Sequence, residues 1–258
     1  EVLLCCSAGG LGDLSRHYHK FLRRNICRSP FRYTRRPVLI NNWEATYFDF
    51  NTDTICRIAE KAASLGVEMM VLDDGWFGKR NDDNTGLGDW YVNEEKLSGG
   101  LRPLIERVNA LGMKFGLWVE PEMVSEDSDL YRAHPDWALT LPGRSPAMGR
   151  NQLVLDLSRP EVVDYLVERL SALLAENHIE YIKWDMNRNM SDVYSRALPP
   201  ERQGEVAHRY MLGVYRLLDR LTTAFPHVLF EGCAGGGSRF DAGMLQYFPQ
   251  IWCSDNTD

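Results

Sequence analysis

The sequence has no uninterrupted apolar stretch of about 18 residues, the length a membrane-spanning helix needs. Its first residues also lack a basic segment followed by an apolar one, so no secretion signal is legible. Positive charge is in deficit, with 29 lysines and arginines against 36 aspartates and glutamates and a net charge of -7. That balance argues against nucleic acid or an anionic membrane surface as the main partner, because either would favour a basic face. The 6 cysteines stand at positions 5, 6, 27, 56, 233 and 253, a spacing that suits neither a disulfide framework nor a zinc site. Reduced thiols in a cytoplasm are the expectation. Histidine is equally sparse. His17, His19, His134, His178, His208 and His227 fall on helices or segment edges, which gives no support to a transition-metal site, and no cofactor or metal is expected. The Ala8-Gly9-Gly10-Leu11-Gly12 run lacks the third glycine and the downstream acidic residue of a dinucleotide fingerprint and reads as a plain turn.

What is present is 258 residues, 44% of them hydrophobic, enough for one large core. A basic, turn-rich stretch from Arg23 to Arg36 closes an opening helical linker segment, residues 1–36, ahead of a regular alternation over residues 37–258. Short apolar runs of strand length cover Val38–Ile40, Met69–Leu72, Lys114–Val119, Ile179–Trp184, Val228–Phe230 and Gln250–Cys253. Helical patterns lie between most of them. Ile55, Ile58, Ala59 and Ala62 share one face before Gly66, and Leu101, Leu104, Val108 and Leu111 do so before Gly112, each glycine suited to a left-handed C-cap. Val163, Leu166, Leu170 and Leu173 come after a start at Ser158 to Pro160, and Met211, Val214, Leu218 and Leu221 precede Phe225-Pro226.

Repeated strand and helix imply parallel strands joined by right-handed crossovers, which a doubly wound sheet and a barrel both satisfy. The barrel is favoured by the residues at the end of each strand: Asn41, Asn42 and Trp43; Asp73 and Asp74; Glu120 and Glu122; Asp185 and Asn187; Glu231 and Cys233; Ser254 and Asp255. Polar and aromatic groups at the C-terminal strand ends are where barrel enzymes place their chemistry. The reading is therefore an α/β fold, a (β/α)8 TIM-type barrel truncated after about six strands, and the chain is expected to be a fragment.

Alternation along Tyr181-Ile182-Lys183-Trp184-Asp185 points Lys183 and Asp185 to one side, a cation beside a carboxylate. Such a neighbour favours the ionised acid that a nucleophile requires, although a structural ion pair fits the strand equally well. Asp255, after the sixth strand, is the nearer of two aspartates able to serve as a second acid, and Asp258 reads as a turn cap. Asp73, Asp74 and Trp76 put two carboxylates and an indole at one strand end, suited to sugar hydroxyls and an apolar sugar face. Asp73, Asp74, Glu120 and Glu122 also offer a hard-cation reading. The glycine-rich run from Gly232 to Arg239 comes after a strand and is expected to open a helix, with phosphate binding as a minor reading. Trp43, Trp76 and Trp118 read as sugar-facing walls.

Leu72-Asp73-Asp74-Gly75-Trp76, Lys183-Trp184-Asp185-Met186-Asn187-Arg188, the run from Cys233 through Gly236 to Arg239, and Ser254-Asp255-Asn256-Thr257-Asp258 occur in this order. Together they resemble glycoside hydrolase family 36, the α-galactosidases of bacterial type. The resemblance extends from about Val38 to the end, and the preceding segment is similar to that family's link between its β-sandwich and its barrel. It implies a retaining double displacement with Asp185 as nucleophile and Asp255 as acid/base, acting on a small-molecule galactoside. It further implies that Asp73 and Asp74 bind the galactose 4- and 6-hydroxyls, that Lys183 and Asn187 reach ring hydroxyls with Arg150 close by, that Cys233 and Gly235 lie near the 2-hydroxyl, and that Trp43 and Trp118 shape the pocket. The alternatives are a raffinose-synthase-type galactosyl transferase, an α-N-acetylgalactosaminidase, a Schiff-base phosphosugar aldolase using Lys183, and a sugar-binding barrel without catalysis. Assembly of the full-length protein as a homo-oligomer is compatible with all of these.

Overall fold

The computed structural model describes residues 3–256. Six strands form one parallel sheet: β1 Leu39–Asn41, β2 Met69–Leu72, β3 Lys114–Val119, β6 Tyr181–Trp184, β7 Leu229–Gly232 and β8 Gln250–Ile251, in that spatial order. The sheet curls as the larger part of a TIM-type barrel. A small antiparallel pair, β4 Met123–Val124 and β5 Leu153–Val154, lies beyond the end of β3. All four residues of β2 are buried, the signature of a parallel strand covered on both faces.

The crossover helices pack outside the sheet. Helix α3 (Thr52–Ser64) is started by Asn51, whose side chain accepts from the Thr54 amide at 2.9 Å, and buries Ile55, Cys56, Ala59 and Ala62. Gly66 ends it at φ 84°, as the left-handed C-cap reading requires. Helix α4 (Leu101–Ala110) buries Leu101, Leu104, Ile105 and Val108 and is terminated by Gly112 at φ 77°. Helices α6 (Pro160–Glu176) and α7 (Val206–Ala224) lie side by side. The remaining helices are short, namely α2 (Trp43–Thr46), α5 (Asp129–Ala133) and α8 (Ala242–Leu245).

Ahead of β1, α1 (Leu11–Phe21) buries no side chain, and a π-turn (Leu22–Ile26) and a 3-10 turn (Pro30–Tyr33) come after it. This segment is tied to the sheet by the Arg28 amide on the Gln246 carbonyl at 3.0 Å and by Arg36 on the Pro249 carbonyl at 3.0 Å. Among the described residues no helix is long and apolar enough to cross a membrane.

Several boundaries differ from the sequence expectation. Pairing begins at Tyr181 rather than Ile179, because Ile179 donates back to Asn177 in a turn. The strand β7 runs from Leu229 through Gly232, starting one residue and ending two residues later than Val228–Phe230. β1 is likewise displaced by one residue, and β8 ends at Ile251 although the Trp252 amide still reaches Gly232 at 2.8 Å. The glycine-rich run does not open a helix. It turns back on itself through the Ala234 amide on Gly236, and α8 begins only at Ala242, where Asp241 caps it.

Candidate active site

A cavity of about 450 Å³ opens at the C-terminal ends of the parallel strands. Its walls bring together Trp43 from the end of β1, Asp73 and Asp74 from β2, Trp118 from β3, Lys183, Asp185 and Asn187 from β6, and Asp255 after β8, with Arg150 at the rim. These residues are separated by most of the chain, and the common strand direction is what gathers them. Asp258 lies outside the described residues.

Asp185 is held by four neutral donors. Its Oδ2 accepts from the Trp118 indole at 3.1 Å and from Asn187 Nδ2 at 2.9 Å, while Oδ1 accepts from the Met186 amide at 2.8 Å and the Gly235 amide at 3.4 Å. Four donors on a side chain only 5% exposed fix its rotamer and aim it. Gly235, which is exposed, meets Asp185 through its amide, and Cys233 is buried beside the same loop; neither is among the residues that line the cavity. Burial, and after it the Asp185 charge, keeps the Cys233 thiol protonated far above the usual cysteine range.

Glycine is required in this loop for a spatial reason. A Cβ on Gly237 would lie 2.7 Å from the Cys253 carbonyl oxygen, and one on Gly236 would lie 3.2 Å from Ser254 Cα with φ at 82°. The run lets two backbones touch, and the second backbone carries Asp255. Its 3.4 Å amide on Asp185 points to a carboxylate cradle, not a phosphate cradle.

The nearest partner of Lys183 is Asp73, at 3.1 Å, and not Asp185 as the strand alternation suggested. Both side chains of β6 do face the cavity, but the longer lysine reaches across to the end of β2. Burial opposes the Lys183 charge, yet Asp73 and then Asp185 outweigh it and hold the ammonium above the ordinary lysine range. A Schiff-base nucleophile needs the reverse. Asp73 is further bound by Asn41, and Asp74 forms a buried pair with Arg80 through contacts of 2.8, 3.0 and 3.2 Å. Arg80 gave no signal in the sequence, because it sits in the irregular excursion after β2.

Asp255 is exposed, and its Oδ1 accepts from the Trp252 indole at 2.9 Å. Trp252 also lies with its ring 5.7 Å from Lys183 Nζ, so one indole links the two sides of the cavity. Trp76 is a correction. It is fully buried, donates to the Trp118 carbonyl at 2.9 Å and packs with Phe77 and Trp90, so it supports the wall without forming it.

Glu120 and Glu122, which the sequence offered as cation ligands, are each taken up by hydrogen-bond networks of their own. Glu122 accepts from the Trp184 indole at 2.9 Å, from Tyr210, and from Arg239 at 2.8 and 3.1 Å. It thereby ties β6, α7 and the glycine loop to the end of β3. Glu120 accepts from Gln152 Nε2 at 2.8 Å and from the Asn187 amide. Among the described residues no three His, Cys, Asp or Glu side chains converge as ligands of one ion.

The family model described as Melibiase matches residues 1–258. The chain is 60% identical over 258 residues to the α-galactosidase AgaA of Geobacillus stearothermophilus, covering 100% of this chain and 35% of that protein. To the bifunctional α-galactosidase/sucrose kinase AgaSK of Mediterraneibacter gnavus it is 58% identical, covering 100% of this chain and 27% of that one. Among solved structures, a variant of AgaA in complex with 1-deoxygalactonojirimycin superposes with a TM-score of 0.96 at 60% identity, covering 98% of this chain and 35% of that one. A second variant, in complex with raffinose, gives 0.95 at 60% identity, covering 96% of this chain and 35% of that one. The chain thus spans about a third of the length of the AgaA enzyme it matches.

Proposed function

The chain belongs to the melibiase family, and from that premise we propose that it carries the catalytic centre of a retaining α-galactosidase acting on raffinose-type oligosaccharides. The observation that carries the reading is the placing of Asp185 and Asp255 on the walls of a single cavity, with Asp185 held by four donors and Asp255 open to solvent. The complexes of the AgaA variants with raffinose and with 1-deoxygalactonojirimycin support the substrate class.

In this mechanism an Asp185 oxygen attacks the anomeric carbon as the glycosidic C–O bond breaks, and Asp255 delivers its proton to the departing oxygen. A β-galactosyl ester of Asp185 results. Asp255, now ionised, removes a proton from water, which displaces Asp185 and returns galactose with the α configuration. Asp73 and Asp74 are assigned to the galactose 4- and 6-hydroxyls, Lys183 and Asn187 to ring hydroxyls with Arg150 beside them, Cys233 and Gly235 to the neighbourhood of the 2-hydroxyl, and Trp43 and Trp118 to the pocket's shape. The same reading divides the chain at Pro37 into a linker and a barrel portion, and it places the protein in the cytoplasm. The free thiols, three of them buried, support that location. A homo-oligomer is part of the reading for the full-length protein, and light scattering tests it.

The decisive experiment uses the full-length protein and an aryl α-galactoside. Asp185→Ala loses turnover, and added azide restores it with β-galactosyl azide as product. Asp255→Ala still releases the aryl group rapidly in a burst, while the galactosyl-enzyme hydrolyses slowly. An active Asp185→Ala protein would end the assignment.

A further inference from the structure

Glu120 closes the C-terminal end of β3 and is 1% exposed, yet the double displacement gives it no task. Its Oε1 accepts from the Asn187 backbone amide and, at 2.8 Å, from Gln152 Nε2. Asn187 in turn presents its side-chain amide to Asp185 Oδ2 at 2.9 Å. Gln152 is fixed independently, since its carbonyl receives Arg188 Nη1 at 2.6 Å. Three segments, the ends of β3 and β6 and the turn before β5, therefore meet on one buried carboxyl immediately behind the nucleophile. Resting on the α-galactosidase reading, we propose that Glu120 is a positioning residue, which holds the Asn187 backbone so that its side chain keeps Asp185 aligned on the anomeric carbon.

Charge supports the geometry. Burial first, and then the Asp185 carboxylate, push the Glu120 carboxyl up to about 8, with Asp74 adding to the effect and the Asn187 and Gln152 donors opposing it. Arg80 and Tyr210 are the other titratable groups that feel its charge. At neutral pH Glu120 is the neutral acid, so it sets no second negative charge against the Asp185 side chain. Above about pH 8 Glu120 ionises and, although the Asn187 and Gln152 donors hold the anion more tightly, the two carboxylates repel and Asp185 is pushed out of alignment. The sign is fixed: activity falls as pH rises through the Glu120 titration, and removing a donor that favours the ionised form moves the fall to higher pH.

The test measures kcat and KM of the full-length protein on an aryl α-galactoside from pH 5 to 10. The parent shows an alkaline fall in kcat centred near pH 8. Glu120→Gln, which keeps the acceptor and cannot ionise, retains kcat within about threefold at pH 6 and lacks that fall. Glu120→Ala, which loses the anchor, lowers kcat by about 10- to 100-fold with KM changed less than about twofold, the pattern of a misplaced reacting group. Gln152→Met lowers kcat a few-fold and moves the fall upward, and this variant decides the matter should those at Glu120 not fold. An alkaline fall unchanged in Glu120→Gln or unmoved in Gln152→Met, or a Glu120→Ala enzyme that loses KM and not kcat, would overturn the proposal. A parent without α-galactosidase activity would instead overturn the reading on which it rests.

Discussion

Replacing Arg80 by Met isolates what the buried pair behind the cavity contributes. The two side chains are 3% and 8% exposed, and three N–H···O contacts join them, so Arg80→Met strands a carboxylate that is almost wholly buried at the edge of the cavity. Removing one partner of such a pair costs about 3–5 kcal/mol, and the lost contact from Arg80 to the Thr85 carbonyl adds about 1 kcal/mol. Asp74 can escape part of this cost by taking up a proton, because burial already pushes its carboxyl up against the pull of Arg80. The deficit then depends on pH, with a definite sign. Without Arg80 the folded protein binds a proton that the unfolded chain releases above its ordinary carboxylate range, so stability falls as pH rises. Urea unfolding of the full-length protein, monitored by tryptophan fluorescence, reads the difference as a midpoint lowered by about 1–2 M at pH 8 and by clearly less at pH 5. Asp74→Asn combined with Arg80→Met leaves no charge to strand and recovers most of the stability, while binding of galactose stays weak because the wall has lost its carboxylate. A single variant within about 0.5 kcal/mol of the parent at pH 8, or a deficit equal at both pH values, would refute the assignment of a desolvated, mutually dependent pair.

Close contacts elsewhere in the fold lead to two more outcomes. Helix propensity alone favours Gly213→Ala in the middle of α7 by about 1 kcal/mol, but the new Cβ would lie 1.9 Å from the Leu157 carbonyl oxygen. A backbone atom cannot swing aside, so the substitution costs about 3 kcal/mol, and a melting temperature equal to or above the parent's would count against the packing of α7 on the segment before α6. Trp252→Phe keeps a ring near Lys183 but removes the 2.9 Å donor to Asp255. It should lower turnover of alkyl galactosides, whose leaving groups need protonation, by about tenfold while leaving activated aryl galactosides within about threefold, and equal loss on both would place Trp252 in binding instead.

Periodicity revealed which residues share a face, and that sufficed for the sheet. The six parallel strands, the order of the helices and the glycine stops at Gly66 and Gly112 are local patterns, each decided within a dozen or so residues. Partners across the fold are another matter. Alternation put Lys183 and Asp185 on one side of β6, but which carboxylate the ammonium meets depends on the length of the lysine and on a strand end 110 residues earlier. Trp76 illustrates the same limit. An indole next to two aspartates at a strand end looks like a sugar wall, and only the excursion after β2, which folds Phe77 and Trp90 over it, makes it core. The β4–β5 pair was invisible because two-residue strands carry no period. Arg80 was invisible because an ion pair within an irregular loop has no spacing rule.

The balance of charge behind the cavity shows what kind of ligand this arrangement favours. Asp73, Asp74, Glu120, Glu122, Asp185 and Glu231 are all buried, whereas the cations that meet them are Arg80, Lys183 and Arg239. Ion pairing therefore leaves acidic groups over, and they are disposed of in two ways. Burial raises Glu120 and Glu231 toward their neutral forms, with Tyr181 and Gln250 donating to the latter, while Asp185 is given indole, amide and backbone donors, and Lys183 acts on it only from beyond ion-pair distance. Neutral donors on both Asp185 oxygens leave its net charge uncancelled, whereas a salt bridge would cancel it. Positive charge developing at an anomeric carbon is favoured in such a place, and a developing anion is not. On the proposed function, a neutral, hydroxyl-rich ring would enter without adding to the acidic excess, and Asp73, Asp74, Lys183 and Asn187 would offer it donors and acceptors. A phosphorylated sugar would bring two more negative charges to a pocket whose lysine is already committed to Asp73, so its exclusion rests on the same imbalance.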